Sequence, residues 1–401
     1  MRTSSRGCDS RRQAILLLRG SRERLPLPPS DAALAQRIHR EAVVWKGYLD
    51  HVIGRYSKTP LNRLDPDVLA ALRAGAAQLL VMRVPSHAAV SATVDAHGRR
   101  KTMGLVNAVL RKVAAHSDEP ELPLHIRYSH PKVLVEGWLS IFGEERTRRL
   151  LEWNNTAPEL GGYAFGGRPE GFQRGRFLEE YGTIPRKGVF SPPEGFYLQD
   201  ESAAIVGRGM ADLPGSPVLE IGAAPGGKTA HLQRKGPVFS MDPSLRRMKR
   251  WGENCRRLHW EDSLPLIAEV EALPFSTLFQ KVVVDAPCSN TGVYRRRYDA
   301  RWNWTPELSS TMAGIQGSIL QNASLAVAPG GCLVYSTCSL EPEENMEVVQ
   351  RFESSHGEFT RIPFPGPSEL VDGNGTLSYF PPDAGIDGLF AAAWRKTGQI
   401  S

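Results

Sequence analysis

Val218-Leu219-Glu220-Ile221-Gly222-Ala223-Ala224-Pro225-Gly226-Gly227-Lys228-Thr229 reads as a strand, a glycine-rich turn and the start of a helix. Small residues in such a turn let backbone approach a bound ligand, and the helix start offers free N–H groups. The turn lacks the GxGxxG of a dinucleotide loop. The next strand, Val238-Phe239-Ser240-Met241, runs into Asp242, twenty residues after Gly222. An acid placed there can accept both hydroxyls of a ribose, so S-adenosylmethionine fits this loop better than NAD. The plainer alternative for Asp242 is a helix cap over Pro243.

Outward from this unit the pattern alternates. Thr229–Lys235 reads as helix, Arg246–Leu258 as helix, Lys281–Val284 as strand, Pro306–Ala328 as a long helix and Gly331–Ser336 as strand. Strands alternating with helices predict a largely parallel, doubly wound α/β sheet over 199–401. The front of the chain differs. Apolar residues recur at helical spacing through Asp31–Ile53, and Asp65-Pro66 is a helix-start signal followed by an apolar stripe from Val68 to Leu80. Residues 1–118 therefore read as a separate all-α domain. Residues 119–198 read as a helical linker, Pro131–Phe142 and Glu144–Trp153, followed by a Gly- and Pro-rich stretch with weak strands.

Charge divides the chain in the same way. Residues 1–150 hold 25 Lys and Arg against 14 Asp and Glu, a net of +11, while the remainder carries a net of −5. A basic front half points to a polyanionic partner. The five cysteines are irregularly spaced, with no CxxC and no His cluster, so neither a disulfide framework nor a metal site is expected. No apolar run is long enough to span a bilayer, and a cytoplasmic, monomeric protein is expected.

Two of those cysteines end strands. Lys281-Val282-Val283-Val284 leads into Asp285-Ala286-Pro287-Cys288, and Cys332-Leu333-Val334-Tyr335 leads into Ser336-Thr337-Cys338. Ligands and catalytic groups collect at strand carboxyl ends in such sheets. A buried structural thiol is the ordinary reading of one such cysteine; two of them, one beside an Asp, favour covalent chemistry. A methyltransferase acting on an exocyclic amine would carry an aromatic where Cys288 stands. A thiol there favours carbon methylation through a covalent adduct: a thiolate that adds to C6 of a pyrimidine makes C5 nucleophilic, while a nearby carboxyl neutralises charge on the ring.

Asp285–Ser289 with Thr291-Gly292-Val293 and Arg301-Trp302 resembles the Nop/Sun family of RNA cytosine-5 methyltransferases. So do Tyr335–Ser339 with Pro342-Glu343-Glu344-Asn345, Ala223–Thr229, Gln199-Asp200-Glu201-Ser202, and Gly385–Ala391 as a closing strand. Leu64–Leu69, Pro85–Val90 and Gly104–Lys112 resemble a NusB-type domain, an arrangement similar to the bacterial RsmB-type (Sun/Fmu) branch that methylates 16S rRNA.

The resemblance implies a Rossmann-like methyltransferase domain behind an all-α NusB-like RNA-binding domain. It implies Cys338 as nucleophile, Cys288 in product release, and Asp285 and Lys228 beside the target base. It places S-adenosylmethionine along Gly222, Ala223, Ala224, Pro225, Gly226, Gly227 and Lys228, with Asp242 on the ribose, Arg247 following it, and Asp262, or Glu261 before it, near the adenine. RNA, in the first instance 16S rRNA, is the implied partner. Action on tRNA or another rRNA cytosine, and a non-catalytic RNA-binding or ribosome-assembly role, are the alternatives. The chain departs from the family pattern at Glu220-Ile221-Gly222, at Asn290 where glycine is usual, and through 154–198, which has Glu159–Tyr163 in place of Leu-Arg-Val-Asn. Asn tolerates the positive φ that such a turn requires better than most residues.

Overall fold

The structure, a computed structural model, describes residues 8–117, 119, 121–185 and 192–398. The chain forms two compact units: Met1–Thr156 with Arg301–Asn303, and Ala157–Ala300 with Trp304–Ser401. The helical bridge thus packs with the first unit, and the Gly- and Pro-rich stretch with the second.

The first unit is helical: α1 (Cys8–Leu18), α2 (Pro29–Val44), α3 (Lys46–Tyr56), α4 (Pro66–Ala76), α5 (Ser86–His97), α6 (Arg100–Ala114), the short α7 (Leu124–Arg127) and α8 (Lys132–Asn155). Ile38, Leu49, Val52, Leu72 and Leu110 share its buried core. Asp65 caps α4 by accepting from the Asp67 amide at 2.8 Å, with Pro66 as the first helical residue. The single helix expected over 31–53 is two. The amides of Gly47 and Tyr48 donate to Ser129 Oγ, at 2.6 and 3.3 Å, and the helical ladder breaks at Trp45. Gly143, at φ +75°, separates the two halves of α8. The Arg301 guanidinium is buried, donating to Asn155 Oδ1 at 2.7 Å and to the Asn154 carbonyl at 2.9 Å.

In the second unit, the stretch with weak strand signals forms an antiparallel sheet in the order β2-β3-β1-β4 (β1 Leu160–Ala164, β2 Gln173–Arg174, β3 Tyr181–Ile184, β4 Phe196–Leu198). Then come α9 (Glu201–Asp212), β5 (Val218–Ile221), α10 (Thr229–Leu232), β6 (Val238–Met241), α11 (Leu245–Leu258), β7 (Ser263–Leu266) and β8 (Phe279–Asp285). α12 (Pro306–Leu325), β9 (Val327–Thr337), α13 (Met346–Ser355), β10 (Phe359–Ile362), β11 (Leu377–Ser378), α14 (Pro381–Ala384) and β12 (Phe390–Lys396) complete it.

The main sheet runs β10-β12-β9-β8-β5-β6-β7, with β11 on β12. The five strands from β9 to β7 are parallel, and β12 and β10 are antiparallel additions. Val282, Val283, Val284, Leu333, Val334 and Tyr335 are fully buried, which is why β8 and β9 read as continuous apolar runs. Each such valine contributes about 1.5–3 kcal/mol by burial. Lys281 is the exception in β8: it is buried, and its Nζ donates to the Met210 and Ala211 carbonyls at 3.0 and 3.3 Å, closing the end of α9. Burial pushes its pKa down to about 8. From β5 the order reverses, toward β6 on one side and β8 on the other. Such a switch point opens a crevice between the loops that leave the two strands.

Candidate active site

One wall of that crevice is the glycine-rich loop. Gly222 sits at φ +80°, where a Cβ would strike the Asp285 carbonyl, so the β5 and β8 ends can approach only with glycine there. Gly226, at φ +111°, lies against the Trp260 ring in the same way. Glu220, at the end of β5, is buried. Its Oε2 accepts from Thr229 Oγ at 2.5 Å and Ser240 Oγ at 2.9 Å, while Trp251 Nε1 donates to Thr229 at 3.0 Å. Burial pushes the Glu220 carboxyl up to about 7, and its Oε1 has no partner among the described residues.

Asp242 is fully buried just past β6. Its Oδ1 accepts from the Ser244 amide at 2.9 Å, whereas the cap of α11 itself is Ser244, which accepts from the Arg247 amide. Asp242 Oδ2 accepts no aligned hydrogen bond and lies 3.2 Å from Arg247 Nη1. The other end of that guanidinium donates to the Ala224 carbonyl, and Asn254 Nδ2 donates to Pro225 O at 2.9 Å. Asp242, Arg247 and the loop Gly222–Lys228 therefore form one assembly. Gly222 and Gly227 are half-buried and carry no side chain to shield their backbone, and the Asp242 oxygen without an aligned donor offers an acceptor; both fit a nucleoside cofactor.

The structure does not bring Asp262 to this assembly. Asp262 and Glu261 are exposed, and the Asp262 carbonyl accepts from Val238 N at 3.0 Å, at the amino edge of β6 and β7. The loop occupies the carboxyl edge. The acid that follows β7 on that edge is Glu269, three residues past Leu266, whose carbonyl accepts from the Asp242 amide at 3.2 Å. The signal was present, but β7 is a four-residue strand containing Pro265, too short and irregular to locate by periodicity.

The opposite wall carries the thiols. Asp285 and Ser336 are register partners in β8 and β9, so the chain segments beyond them run side by side. Cys288 Sγ and Cys338 Sγ lie 2.8 Å apart, and the Cys338 amide donates to Cys288 Sγ at 3.3 Å. Lys228 Nζ donates to Asp285 Oδ2 at 2.6 Å, and Ser336 Oγ donates to Asp285 Oδ1 at 3.1 Å. Burial alone would lower the Lys228 pKa, but the Asp285 carboxylate holds it above its ordinary value. The Cys338 thiol is held well above its ordinary value, first by its hydrogen bond with Cys288, then by burial and nearby negative charge; Lys228 opposes this. Asn290, at φ +64°, takes the positive φ that its position requires, and its Nδ2 donates to Cys288 O at 2.9 Å.

Behind both thiols lies Glu344, fully buried and not expected as a site residue. Its Oε2 accepts from the Ser289 amide at 2.9 Å and Gln316 Nε2 at 3.0 Å. Its Oε1 accepts from Ser339 Oγ at 3.0 Å and Ser309 Oγ at 3.2 Å. Further back, Arg296 pairs with Asp200 and, at 2.7 Å, with Asp387; burial pushes the Asp387 carboxyl up to about 6.

Comparisons with known proteins agree with this architecture. Residues 211–395 match the 16S rRNA methyltransferase RsmB/F family, and residues 3–115 match the NusB family. The ribosomal RNA small subunit methyltransferase B of Thermus thermophilus is 32% identical, with 96% of this chain and 94% of that protein covered. That of Erwinia tasmaniensis is 30% identical, with 91% of each covered. Among solved structures, that of PH0851 superposes with a TM-score of 0.81 at 23% identity, covering 97% of this chain and 98% of that one. A methyltransferase homologue from Pyrococcus horikoshii superposes at 0.57 and 24% identity, covering 70% and 100%. With a NusB domain in front, a Rossmann-like methyltransferase sheet behind, and relatives that match nearly end to end, the chain belongs to the RsmB family of ribosomal RNA small subunit methyltransferases.

Proposed function

We propose that this RNA methyltransferase transfers a methyl group to C5 of a cytosine in small-subunit ribosomal RNA, through a covalent adduct between Cys338 and C6. The observation that carries the reading is the pair of thiols 2.8 Å apart at the ends of β8 and β9, with Lys228 and Asp285 beside them. A sulfur pair at strand carboxyl ends beside a lysine–aspartate pair is poorly explained by packing and well explained by addition and elimination on one ring.

S-adenosylmethionine, when bound, supplies an electrophilic methyl on a sulfonium. The residues that would hold it are Gly222 to Lys228, Asp242 with Arg247 at the ribose, Asp285, and Glu269 in place of Asp262 on the adenine side. Cys338, once its thiol proton has passed to solvent, adds through sulfur to C6, and the C5–C6 π pair released onto the ring makes C5 the nucleophile. Asp285, held by Lys228 and Ser336, accepts from the N4 amine of the base, and the Lys228 ammonium beside it offsets the negative charge that builds on the ring at addition. After methylation C5 carries a hydrogen that must leave as a proton. Cys288, within hydrogen-bond reach of Cys338, is the group assigned to its removal, and its loss restores the C5–C6 double bond as the Cys338 thiolate departs. The base must stand out of its stack to reach these groups.

The test uses a small-subunit rRNA transcript and a labelled methyl donor. Wild-type protein is expected to yield 5-methylcytosine on nucleoside mass spectrometry. Cys288→Ala is expected to leave a protein–RNA complex that survives denaturing electrophoresis, and Cys338→Ala to transfer nothing and trap nothing. Swapped outcomes would reverse the two roles, and a methyl found on nitrogen or ribose would exclude the covalent route.

A further inference from the structure

We propose that the outer face of α11 is a phosphate-contacting surface for the substrate RNA, with Arg246, Lys249 and Arg250 as its contacts; this rests on the reading of the chain as an RNA enzyme. The helix, Leu-Arg-Arg-Met-Lys-Arg-Trp-Gly-Glu-Asn-Cys-Arg-Arg-Leu, buries Met248, Trp251 and Leu258 on one side. The other side exposes Arg246, Arg247, Lys249, Arg250, Arg256 and Arg257 against a single acid, Glu253. Six cations in fourteen residues stand out because residues 151–401 as a whole carry a net of −5.

A solvated basic face is the plain alternative, and the placement of these charges argues against it. Arginines on other helices of this unit have acidic partners one turn away: the half-buried Arg208 with Asp212 at 3.0 Å, the exposed Arg351 with Glu347 at 3.6 Å. Among the described residues, Arg246, Lys249, Arg250 and Arg256 enter no ion pair. Arg246 and Arg250 are also spaced i,i+4, where like charges repel. Arg256 and Arg257 sit in the last turn, where the helix dipole favours cations, and Arg257 donates to the Phe196 carbonyl at 3.0 Å. Arg246 sits in the first turn, where that dipole opposes it, and Lys249 and Arg250 follow in the second, far from the end where it favours cations. Folding therefore accounts for the cations at the end of the helix and not for those at its start. A polyanion accounts for both the unpaired charge and its position.

The position suits a nucleic acid serving this site. The start of α11 follows Asp242 at the carboxyl edge of the sheet, the edge that also carries the glycine-rich loop and both thiols. Arg247 is engaged with Asp242 and Ala224 and is left out of the contact set.

The experiment compares wild type with the triple variant Arg246→Gln, Lys249→Gln, Arg250→Gln, using a small-subunit rRNA transcript. Filter binding at several salt concentrations is expected to show a shallower salt dependence, with the log–log slope reduced by about 2, since each single-strand phosphate contact contributes roughly 0.7. In methyl transfer, KM for RNA is expected to rise on the order of tenfold, with kcat and the affinity for S-adenosylhomocysteine unchanged. Glu253→Lys, adding a cation to the same face, is expected to steepen the slope and tighten binding; it keeps the question open to decision if the triple variant melts early. An unchanged slope and KM would overturn the proposal. So would loss confined to kcat or to cofactor affinity, since α11 would then act only on the glycine-rich loop. If wild-type protein transfers no methyl to the transcript, the functional reading fails, and the salt dependence of binding still decides this surface.

Discussion

Ser289 and Ser339, the residues that follow the two cysteines, are held by one carboxylate. Glu344 accepts from the Ser289 amide at 2.9 Å through one oxygen and from the Ser339 hydroxyl at 3.0 Å through the other, and the two hydroxyls lie 3.2 Å apart. Gln316 and Ser309 complete its shell. A change in this carboxylate moves both thiol-bearing turns together. Glu344→Ala removes the shared acceptor of four donors and leaves the Ser289 amide unpaired in the interior, and a loss of about 2–4 kcal/mol is expected in denaturant unfolding. Glu344→Gln keeps the volume but puts an amide donor against donors. Its kcat is expected to fall on the order of tenfold with KM for RNA and cofactor little changed. Wild-type kcat in that variant would show that the carboxylate does not set the spacing of the thiols.

The state of the Cys338 thiol follows from its neighbour. Because the hydrogen bond with Cys288 is the first cause of its raised pKa, ahead of burial, removing that sulfur lowers it. Alkylation of Cys338 by iodoacetamide, read by peptide mass spectrometry, is expected to be slow at pH 7 in wild type and to accelerate as pH rises past the ordinary thiol range. In Cys288→Ala the acceleration is expected at lower pH. Identical pH profiles would mean that the contact does not control the proton.

Glu220 makes stability depend on pH near neutrality. Its carboxyl is raised from 4.5 to about 7 by burial, so the folded state holds a proton there that the unfolded chain has lost. Its contribution is full below about pH 4.5 and is lost as pH rises through 7. The effect is on the order of 3 kcal/mol if burial is maintained. Glu220→Gln, neutral at every pH, is expected to flatten the melting temperature between pH 5 and 8 and to be the more stable protein at pH 8. A wild-type melting curve that rises over that range, with no difference in the variant, would contradict this.

Gly222→Ala tests the crevice itself. A side chain there meets both an unfavourable positive φ and the Asp285 carbonyl. Stability is expected to fall by at least about 1 kcal/mol, and affinity for S-adenosylhomocysteine, measured by calorimetry, by more than tenfold. Retained affinity would mean that the β5 and β8 ends need not approach so closely for binding.

Much of the second unit was legible because its signals are local. Strands β5, β6, β8 and β9 and helices α11 and α12 lie within a few residues of where periodicity predicts them. The antiparallel sheet β1–β4 was not, because its strands are two to five residues long and their pairing lies outside any short window. The misplacement of Asp262 has the same origin. The resemblance implies Asp262, or Glu261 before it, near the adenine, and both precede the short β7 at the amino edge of the sheet.

By itself the sequence determined the alternation of strand and helix, the glycine-rich turn and the presence of a thiol after each of two buried strands. Hydrophobic period and turn chemistry are properties of neighbouring residues. Tertiary structure decided what those thiols meet. Cys288 and Cys338 are fifty positions apart, and their 2.8 Å separation exists only because β8 and β9 pair in parallel with Asp285 opposite Ser336. The Glu344 bridge and the Lys228–Asp285 pair arise in the same way, across 55 and 57 residues of chain. Parallel pairing carries no local signal of register, since the crossover that joins the strands, rather than a turn, sets which residues face each other.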